Sequence, residues 1–223
     1  MLFRSPALPA SFSVDDPEPR DQSRAALIER LGFPDDGQLL AVAVTRLTDQ
    51  KGIDLLEPVV PLLDEFPMRL AILGSGERDL ADRLGELAIA HPERFAFIEG
   101  YDEQLAHLMF AGSDLFVMPS RFEPCGLTQM QAMRYGSIPV VTGVGGLVDT
   151  VPDVDAHPRS GRGFVADGAE VGPIISALHR GARRCSDRRR LSTLRRRVMS
   201  VDWSWDGPAR DYVEIYRQLS RGH

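Results

Sequence analysis

The segment QLLAVAVT, residues 38–45, has six consecutive apolar residues between two polar ones. A strand that is apolar along its length is typical of a sheet covered on both faces. Four further segments have the same character and are bounded by glycine, proline or charged residues. These predicted strands are residues 68–73 (MRLAIL), 94–98 (RFAFI), 114–118 (DLFVM) and 138–142 (IPVVT).

The segments between these strands have apolar residues at helical spacing. The predicted helices are residues 53–65, 77–90, 102–111 and 127–135. Alternation of buried strands with helices predicts an α/β fold, a Rossmann-like doubly wound parallel sheet. Right-handed crossovers place every strand-to-helix loop at the carboxyl edge of such a sheet, where ligands bind.

The chain divides into three parts. Residues 1–30 are rich in proline, serine and aspartate at their start and predict a tail or linker, with a short helix over residues 21–31. Residues 31–200 form the predicted Rossmann-like domain, which becomes helical after residue 164, over 171–184 and 187–199. Residues 201–223 contain a last helix over residues 207–221.

Composition excludes several classes of function. The 223 residues carry a formal net charge of −6, which disfavours binding to nucleic acid or to an anionic membrane. No apolar run approaches the roughly 20 residues that span a bilayer. The two cysteines, Cys125 and Cys185, indicate no disulfide framework. We therefore expect a cytoplasmic protein.

The loop after the first strand, residues 46–52 (RLTDQKG), contains Arg46 and Lys51, and Lys51 is the only lysine in the sequence. Two cations at the carboxyl edge of a parallel sheet suit a diphosphate group. Gly52 would allow the backbone to approach closely. A solvated turn explains the same residues almost as well, so the loop alone favours phosphate only slightly.

The next two loops are less specific. The second, Gly74-Ser75-Gly76, resembles part of a dinucleotide fingerprint, but a tight turn is the simpler interpretation. The third contains Tyr101, which could stack on a nucleotide base or pack against a neighbouring loop. Asp102 is predicted to cap the following helix.

The loop after the fourth strand has the richest chemistry, PSRFEPCGLTQ at residues 119–129. Its two prolines and one glycine predict a rigid loop just before a helix. Glu123 in that loop could bind sugar hydroxyls or face a developing positive charge. The backbone amides of Gly126, Leu127 and Thr128 would begin the helix and suit a phosphate group.

Two other groups of residues carry weaker signals. The five histidines are scattered and no His/Cys spacing indicates a metal site. Arginines are dense after residue 179. A polyanion site is one interpretation, but a solvated helix face is favoured by the acidic net charge and the lack of interleaved aromatic residues. These arginines are at positions 180, 183, 184, 188–190 and 195–197.

Three segments together resemble a known family. They are TRLTDQKGIDLL (45–56), the long segment GYDEQLAHLMFAGSDLFVMPSRFEPCGLTQMQAMRYGSIPVV (100–141) and GGLVDTV (145–151). They are similar to the C-terminal domain of bacterial-type glycogen and starch synthases, which are retaining glycosyltransferases of the GT-B fold. The segment RFEPCGLTQ is the most specific part. The ending Asp202-Trp203-Ser204-Trp205, followed by a helix, resembles the family's final crossing helix.

The resemblance implies transfer of glucose from ADP-glucose to the non-reducing end of an α-1,4-glucan, with retention at the anomeric carbon. It implies that Arg46 and Lys51 bind the donor diphosphate and that Glu123 contacts the donor glucose. It also implies that Tyr101 stacks on adenine and that Cys125, Gly126, Leu127 and Thr128 seat glucose and phosphates. No metal or other cofactor is implied.

Some features depart from the family pattern. Gln131 stands where many related retaining transferases have a second glutamate, although these synthases also lack it. The family usually has a threonine directly before the glycine pair, whereas Gly143 and Val144 separate Thr142 from the glycine pair at 145–146 in this sequence. Nothing resembles the family's N-terminal GT-B domain, so we expect residues 31–200 to be the ADP-glucose-binding half, inactive alone.

Two other functions remain open from the sequence. The chain could be another retaining GT-B transferase that uses a UDP- or GDP-sugar, although RFEPCGLTQ argues against this. It could also be a stand-alone nucleotide-sugar or glucan-binding module without activity. The set of Arg46, Lys51 and Glu123 mildly favours a transferase.

Overall fold

The computed structural model describes residues 5–221. Six parallel strands form one sheet in the order β3-β2-β1-β4-β5-β6. This order places β1 at the centre and is that of a doubly wound sheet, so the predicted Rossmann-like α/β fold is confirmed. The strands are β1 (Leu39–Leu47), β2 (Met68–Gly76), β3 (Phe95–Glu99), β4 (Leu115–Met118), β5 (Ile138–Thr142) and β6 (Phe164–Ala166).

Eight α-helices lie within the described residues. They are α1 (Arg20–Leu31), α2 (Arg78–Ala90), α3 (Glu103–Gly112), α4 (Thr128–Arg134), α5 (Gly146–Thr150), α6 (Val171–Cys185), α7 (Arg188–Met199) and α8 (Asp206–Arg221). None of the helices within residues 5–221 is both long and apolar enough to cross a bilayer.

The central strands are buried as their composition predicts. Residues 39–43 of β1 and 68–74 of β2 are all buried, because helices cover both faces of the sheet. Two short elements were not predicted, β6 and α5. Both are too short to produce a clear periodic pattern.

The crossover between β1 and β2 differs from the prediction. The pattern over residues 53–65 indicated a helix, and the structure has a 3-10 helix over Ile53–Leu62. Pro58 and Pro61 lie within it. Proline has no backbone N–H and its ring clashes with the preceding turn, so a regular α-helix would be disrupted here.

Residues 5–20, predicted as a tail or linker, pack against the domain. Phe12 is fully buried, and its ring lies 6.3 Å from that of Tyr135 in an edge-on arrangement. The guanidinium group of Arg20 is also buried, where its Nε donates to the Tyr135 carbonyl at 2.9 Å and its Nη2 to the Ser113 carbonyl. These carbonyls satisfy a buried charge that would otherwise be costly.

Asp114, at the start of β4, joins three elements. Its carboxylate lies 2.6 Å from Nη1 of Arg24 in α1 and 3.0 Å from Nη2 of Arg195 in α7, and it accepts from the Leu40 amide at 3.0 Å. Burial raises the pKa of Asp114, but the positive charges of Arg24, Arg195 and Arg20 and the Leu40 amide together outweigh burial and hold that pKa below the usual carboxyl value.

Candidate functional site

Four loops with distinctive chemistry follow β1, β2, β3 and β4, and a fifth follows β5. Because the sheet is parallel throughout, all five lie at its carboxyl edge. The sequence order separates β1 from β4, but the sheet makes them neighbours. The loops after these two strands therefore meet.

Lys51 and Glu123 form an ion pair where the loops after β1 and β4 contact each other. The Nζ atom of Lys51 lies 2.5 Å from Oε2 of Glu123, and only 14% and 7% of the two side chains are exposed. The hydroxyl of Ser120, itself buried, donates to the same carboxylate oxygen at 3.4 Å. Two charges held in a nearly dry environment have fixed positions, which suits binding of a polar ligand.

Arg121 ties the same two loops together. Its guanidinium group forms a bidentate ion pair with Asp54, with distances of 2.7 and 2.6 Å. It also donates to the carbonyl of Asp49 at 2.9 Å. The Asp54 hydrogen bonds raise the pKa of Arg121, and the same hydrogen bonds lower the pKa of Asp54. These contacts hold the segment that contains Lys51 against the segment that contains Glu123.

The backbones of these loops also approach closely at a glycine. Gly52 has φ +65°, and a Cβ atom there would lie 2.1 Å from the carbonyl oxygen of Pro119. A larger residue at position 52 would push the two loops apart. The close approach that Gly52 suggested in the sequence is therefore present, and its partner is the loop after β4.

The loop after β5 supports Glu123 from the other side. Gly145 has φ +46°, and a Cβ atom there would lie 2.0 Å from the carbonyl oxygen of Glu123. The amide of Gly146 donates to that same carbonyl at 3.1 Å. Thr142 donates its hydroxyl to the Ser120 carbonyl at 2.5 Å. The glycine pair thus contacts the backbone of the Glu123 loop despite the unusual Gly143-Val144 spacing.

Gln129 holds the turn at Cys125 and Gly126. Its side chain is fully buried, and its amide nitrogen lies within 3.1 Å of the carbonyls of both residues and of the Thr150 hydroxyl. Gly126 has φ +74°. The carbonyls of this turn are therefore directed inward to Gln129, while the Cys125 side chain is exposed.

The helix predicted to begin at Leu127 begins one residue later in the structure. α4 starts at Thr128, and the preceding Leu127 has 66% of its surface exposed. The hydroxyl of Thr128 contacts the sulfur of Met118 at 3.7 Å. The structure thus brings Cys125, Gly126, Leu127 and Thr128 together at the end of the Glu123 loop. Gln131 is exposed one turn further along the helix.

Arg46 and Tyr101 share a separate cavity. Arg46 lies in the last part of β1, not in the loop as predicted, and its side chain is exposed. The two residues line a cavity of about 190 Å³ together with Gly74, Ser75 and Asp102. Tyr101 is 88% exposed, so its ring is accessible to a stacking partner. The interpretation that Tyr101 packs against a neighbouring loop is not supported.

The residues around this cavity settle two local predictions. Asp102 caps α3, as predicted, with its carboxylate accepting from the Leu105 amide at 2.9 Å. The tight-turn interpretation of residues 74–76 is wrong, because β2 continues through Gly76. A Cβ atom at Gly74 would lie 2.2 Å from the Thr45 carbonyl. These glycines permit close strand packing.

The interpretation of the arginines after residue 179 as a solvated face is wrong for several of them. Arg180 pairs with Asp153 and Asp155 at 2.9 and 2.7 Å, and Arg195 pairs with Asp114. Arg197 donates to the carbonyls of Gly161 and Pro158 at 2.8 and 3.1 Å. Within residues 5–221, no group of three or more His, Cys, Asp or Glu side chains could hold a metal ion.

Sequence reasoning assigned no role to Arg121, Asp54 or Gln129. Arg121 and Gln129 lie in the quoted PSRFEPCGLTQ loop, and Asp54 lies three residues after Lys51. The opposite charges of Arg121 and Asp54 were a usable signal, but only the order of the strands shows that these two residues are close enough to pair.

Comparison with known proteins identifies relatives of this chain. The family model described as "Glycosyl transferases group 1" matches residues 38–180. The chain is 44% identical to a glycogen synthase of Alkalilimnicola ehrlichii, over 95% of the chain and 45% of that protein. It is also 44% identical to a glycogen synthase of Acidiphilium cryptum, over 96% of the chain and 45% of that protein.

A solved structure gives the same result. The chain is similar to the catalytic domain of starch synthase IV from Arabidopsis thaliana, bound to ADP and acarbose, with a TM-score of 0.89 and 34% identity. The match covers 96% of this chain and 45% of the other. The chain therefore spans about half the length of the curated relatives it matches. The resemblance to glycogen and starch synthases seen in the sequence is confirmed.

Proposed function

Because the chain belongs to the group 1 glycosyl transferases, we propose that it is the donor-binding domain of a glycogen or starch synthase that uses ADP-glucose. The observation that carries this proposal is the Lys51–Glu123 pair at 2.5 Å, fixed at the carboxyl edge of the sheet. The identity of 44% to glycogen synthases extends over the loops that fix this pair.

In the proposed reaction, the bond between the glucose anomeric carbon and the β-phosphate oxygen of ADP-glucose breaks. A new bond forms from that carbon to the 4-hydroxyl oxygen of the terminal glucose of an α-1,4-glucan, with retention. The hydroxyl proton passes to an oxygen of the departing ADP, which also takes the electrons of the broken bond. Negative charge therefore develops on the departing diphosphate, and nearby cations lower the barrier by stabilising it.

Arg46 and Lys51 are the proposed cations. Arg46 is exposed at the end of β1, so its guanidinium group can reach a ligand without losing an internal contact. Lys51 is paired with Glu123, and its ammonium group can bind a phosphate oxygen with a second N–H while it keeps the carboxylate. In this arrangement Glu123 accepts hydrogen bonds from the hydroxyls of the donor glucose.

The remaining donor contacts follow the two parts of the site. Adenine would stack on the exposed ring of Tyr101 above the cavity that Arg46 also lines. Cys125, Gly126, Leu127 and Thr128 would seat the glucose and phosphates, because Gln129 holds the turn beneath them.

We further propose that a second Rossmann-like domain supplies the acceptor side of the site. A transition state in a cleft needs groups from both walls, held in place together. Residues 5–221 alone should therefore bind ADP-glucose weakly and elongate glucan little or not at all. Incubation of the purified chain with ADP-glucose and glycogen tests this, and robust chain elongation would contradict it.

The nucleotide preference is tested by calorimetric titration of the chain with ADP, UDP and GDP. We expect ADP to bind most tightly and Lys51→Ala to weaken it by about tenfold or more, the loss of a charge-assisted hydrogen bond. The control is Arg78→Ala, because Arg78 is 77% exposed and pairs only within α2. Equal affinity for the three nucleotides, or no effect of Lys51→Ala, would refute the assignment.

A further inference from the structure

A positively charged cleft lies between α6 and α7, and the proposed function assigns it no role. It has a volume of about 180 Å³. Four of its six lining residues are arginines, and none of the six is aromatic. The lining residues are Arg184, Arg189, Arg190, Thr193, Leu194 and Arg197.

The positive charge of the cleft is poorly compensated. Within the part of the chain described here, Asp187 is the one carboxylate in ion-pair contact with these four arginines, at 3.4 Å from Arg190. Arg189 and Arg190 also lie in the first turn of α7. The helix dipole is positive there and favours acidic residues. A bound anion would offset both the repulsion among the arginines and their repulsion by the positive end of the helix dipole.

Two of the arginines have partners within the protein. Arg197 donates to the carbonyls of Gly161 and Pro158, which fix its guanidinium group from behind. Arg190 forms an exposed ion pair with Asp187 at 3.4 Å, and the Asp187 carboxylate also accepts from the amides of Arg189 and Arg190. Side chains that are already ordered lose less entropy when a ligand binds. The cleft is thus more than a set of mobile surface arginines.

The lining of the cleft selects the ligand. Its volume of about 180 Å³ has room for a compact anion. A single-stranded nucleic acid would stack its bases on aromatic residues, and this lining has none. Guanidinium groups match phosphate oxygens in bidentate geometry.

We propose that this cleft is a binding site for a compact phosphate anion, either inorganic phosphate or pyrophosphate or the phosphate group of a small phosphomonoester. The site is separate from the loops at the carboxyl edge of the sheet. Arg189, Arg190 and Arg197 provide the guanidinium groups, and Asp187 limits the affinity by its opposing charge.

Calorimetric titration with pyrophosphate, orthophosphate and glycerol 3-phosphate tests the proposal. We expect the pair Arg189→Gln/Arg190→Gln to weaken pyrophosphate binding about tenfold. The control pair Arg183→Gln/Arg196→Gln removes the same charge, one arginine from α6 and one from α7, outside the cleft lining, and should change the affinity less than about twofold. Equal losses in the two pairs would mean unspecific attraction and would overturn the proposal.

Two further variants separate the alternatives. Asp187→Asn keeps a residue that caps helices well but removes the charge, so pyrophosphate should bind several-fold more tightly. Pyrophosphate is also a diphosphate that the proposed Arg46 and Lys51 site could bind, so the titrations are repeated with Lys51→Ala, where the Arg189→Gln/Arg190→Gln pair should still weaken binding about tenfold. If Lys51→Ala abolishes the binding while the Arg189/Arg190 pair does not, the anion binds at the other site and the cleft proposal is wrong. Binding of glycerol 3-phosphate at least as tight as that of orthophosphate would identify a phosphomonoester, and weaker binding would identify the inorganic anions.

Discussion

The Nζ atom of Lys51 lies 2.5 Å from Oε2 of Glu123, although the two residues are 72 positions apart in the chain. Each neutralises the other in a largely buried environment. The pair exists because β1 and β4 are neighbours in the sheet, and the Arg121–Asp54 ion pair and the Gly52 contact hold their loops together. The predictions below test these relationships.

Removing one charge of the pair should lower the free energy of unfolding more than expected from the effect of removing both charges. Lys51→Met leaves Glu123 unpaired, and Glu123→Gln leaves Lys51 unpaired, whereas the double variant leaves no buried charge. We expect the loss of unfolding free energy in the double variant to be about 1–3 kcal/mol smaller than the sum of the losses in the two single variants. Urea denaturation of the four proteins measures this, and additive losses would show that the pair is not energetically coupled.

Arg121→Gln should weaken ADP binding because it releases the Lys51 loop from the Glu123 loop. We expect a loss of about 1–3 kcal/mol in binding together with reduced stability, measured by calorimetry and urea denaturation. Arg83→Gln is the control, since Arg83 forms a similar bidentate pair with Glu57 at 2.7 and 2.9 Å that does not contact these loops. Equal effects on ADP affinity from both variants would contradict the role of Arg121.

Gly52→Ala should lower the free energy of unfolding by more than the strain of a positive φ alone accounts for. The φ of +65° at Gly52 and the Pro119 carbonyl 2.1 Å from the new Cβ both oppose the substitution. Gly32→Ala is the matched control, because Gly32 has φ +70° and no heavy atom within 4 Å of the new Cβ. The control should cost about 1–2 kcal/mol and Gly52→Ala at least 1 kcal/mol more. Equal melting temperatures for the two variants would disprove the close contact.

Asp114 should make stability depend on pH in the acidic range. Its native pKa lies below the unfolded value, so ionised Asp114 contributes stability above the unfolded pKa of about 3.9, and this contribution disappears as the pH falls through the lower native pKa. The difference in unfolding free energy between the wild type and Asp114→Asn should therefore be largest near neutral pH and shrink below about pH 4. A difference that is constant with pH would contradict this.

Tyr101→Ala should weaken ADP binding without loss of stability, because the Tyr101 side chain is 88% exposed. Tyr101→Phe keeps the aromatic face and should retain most of the affinity. We expect the alanine variant to lose about 1–3 kcal/mol of binding free energy, the range for a base stacked on an aromatic residue. If both variants bind ADP like the wild type, adenine does not stack on this ring.

The fold could be predicted from the sequence because its signals are local. Five of the six strands are short, largely apolar segments, and the central one, β1, contains six apolar residues in a row within 38–45. The short β6 and the 3-10 geometry of Ile53–Leu62 were not predicted. A strand of three residues has no readable period, and two prolines change the geometry of a helix without changing its apolar spacing.

The packing of the N-terminal segment could not be predicted either. Residues 1–20 have the composition of a tail, yet Phe12 and Arg20 are buried against the domain. Arg20 owes its position to the carbonyls of Ser113 and Tyr135, which are supplied by distant parts of the chain. A buried arginine is rare unless its hydrogen bonds are satisfied, and only the folded chain shows that they are.

The sequence by itself determined the α/β class, five of the six strands and the loops that carry Lys51, Tyr101 and Glu123, because these depend on short-range periodicity and composition. Only the tertiary structure decided which loops meet. The strand order places β1 between β2 and β4, so that Arg46 shares a cavity with Tyr101 while Lys51 pairs with Glu123. Such contacts depend on distances between residues far apart in the chain, and local periodicity carries no information about them.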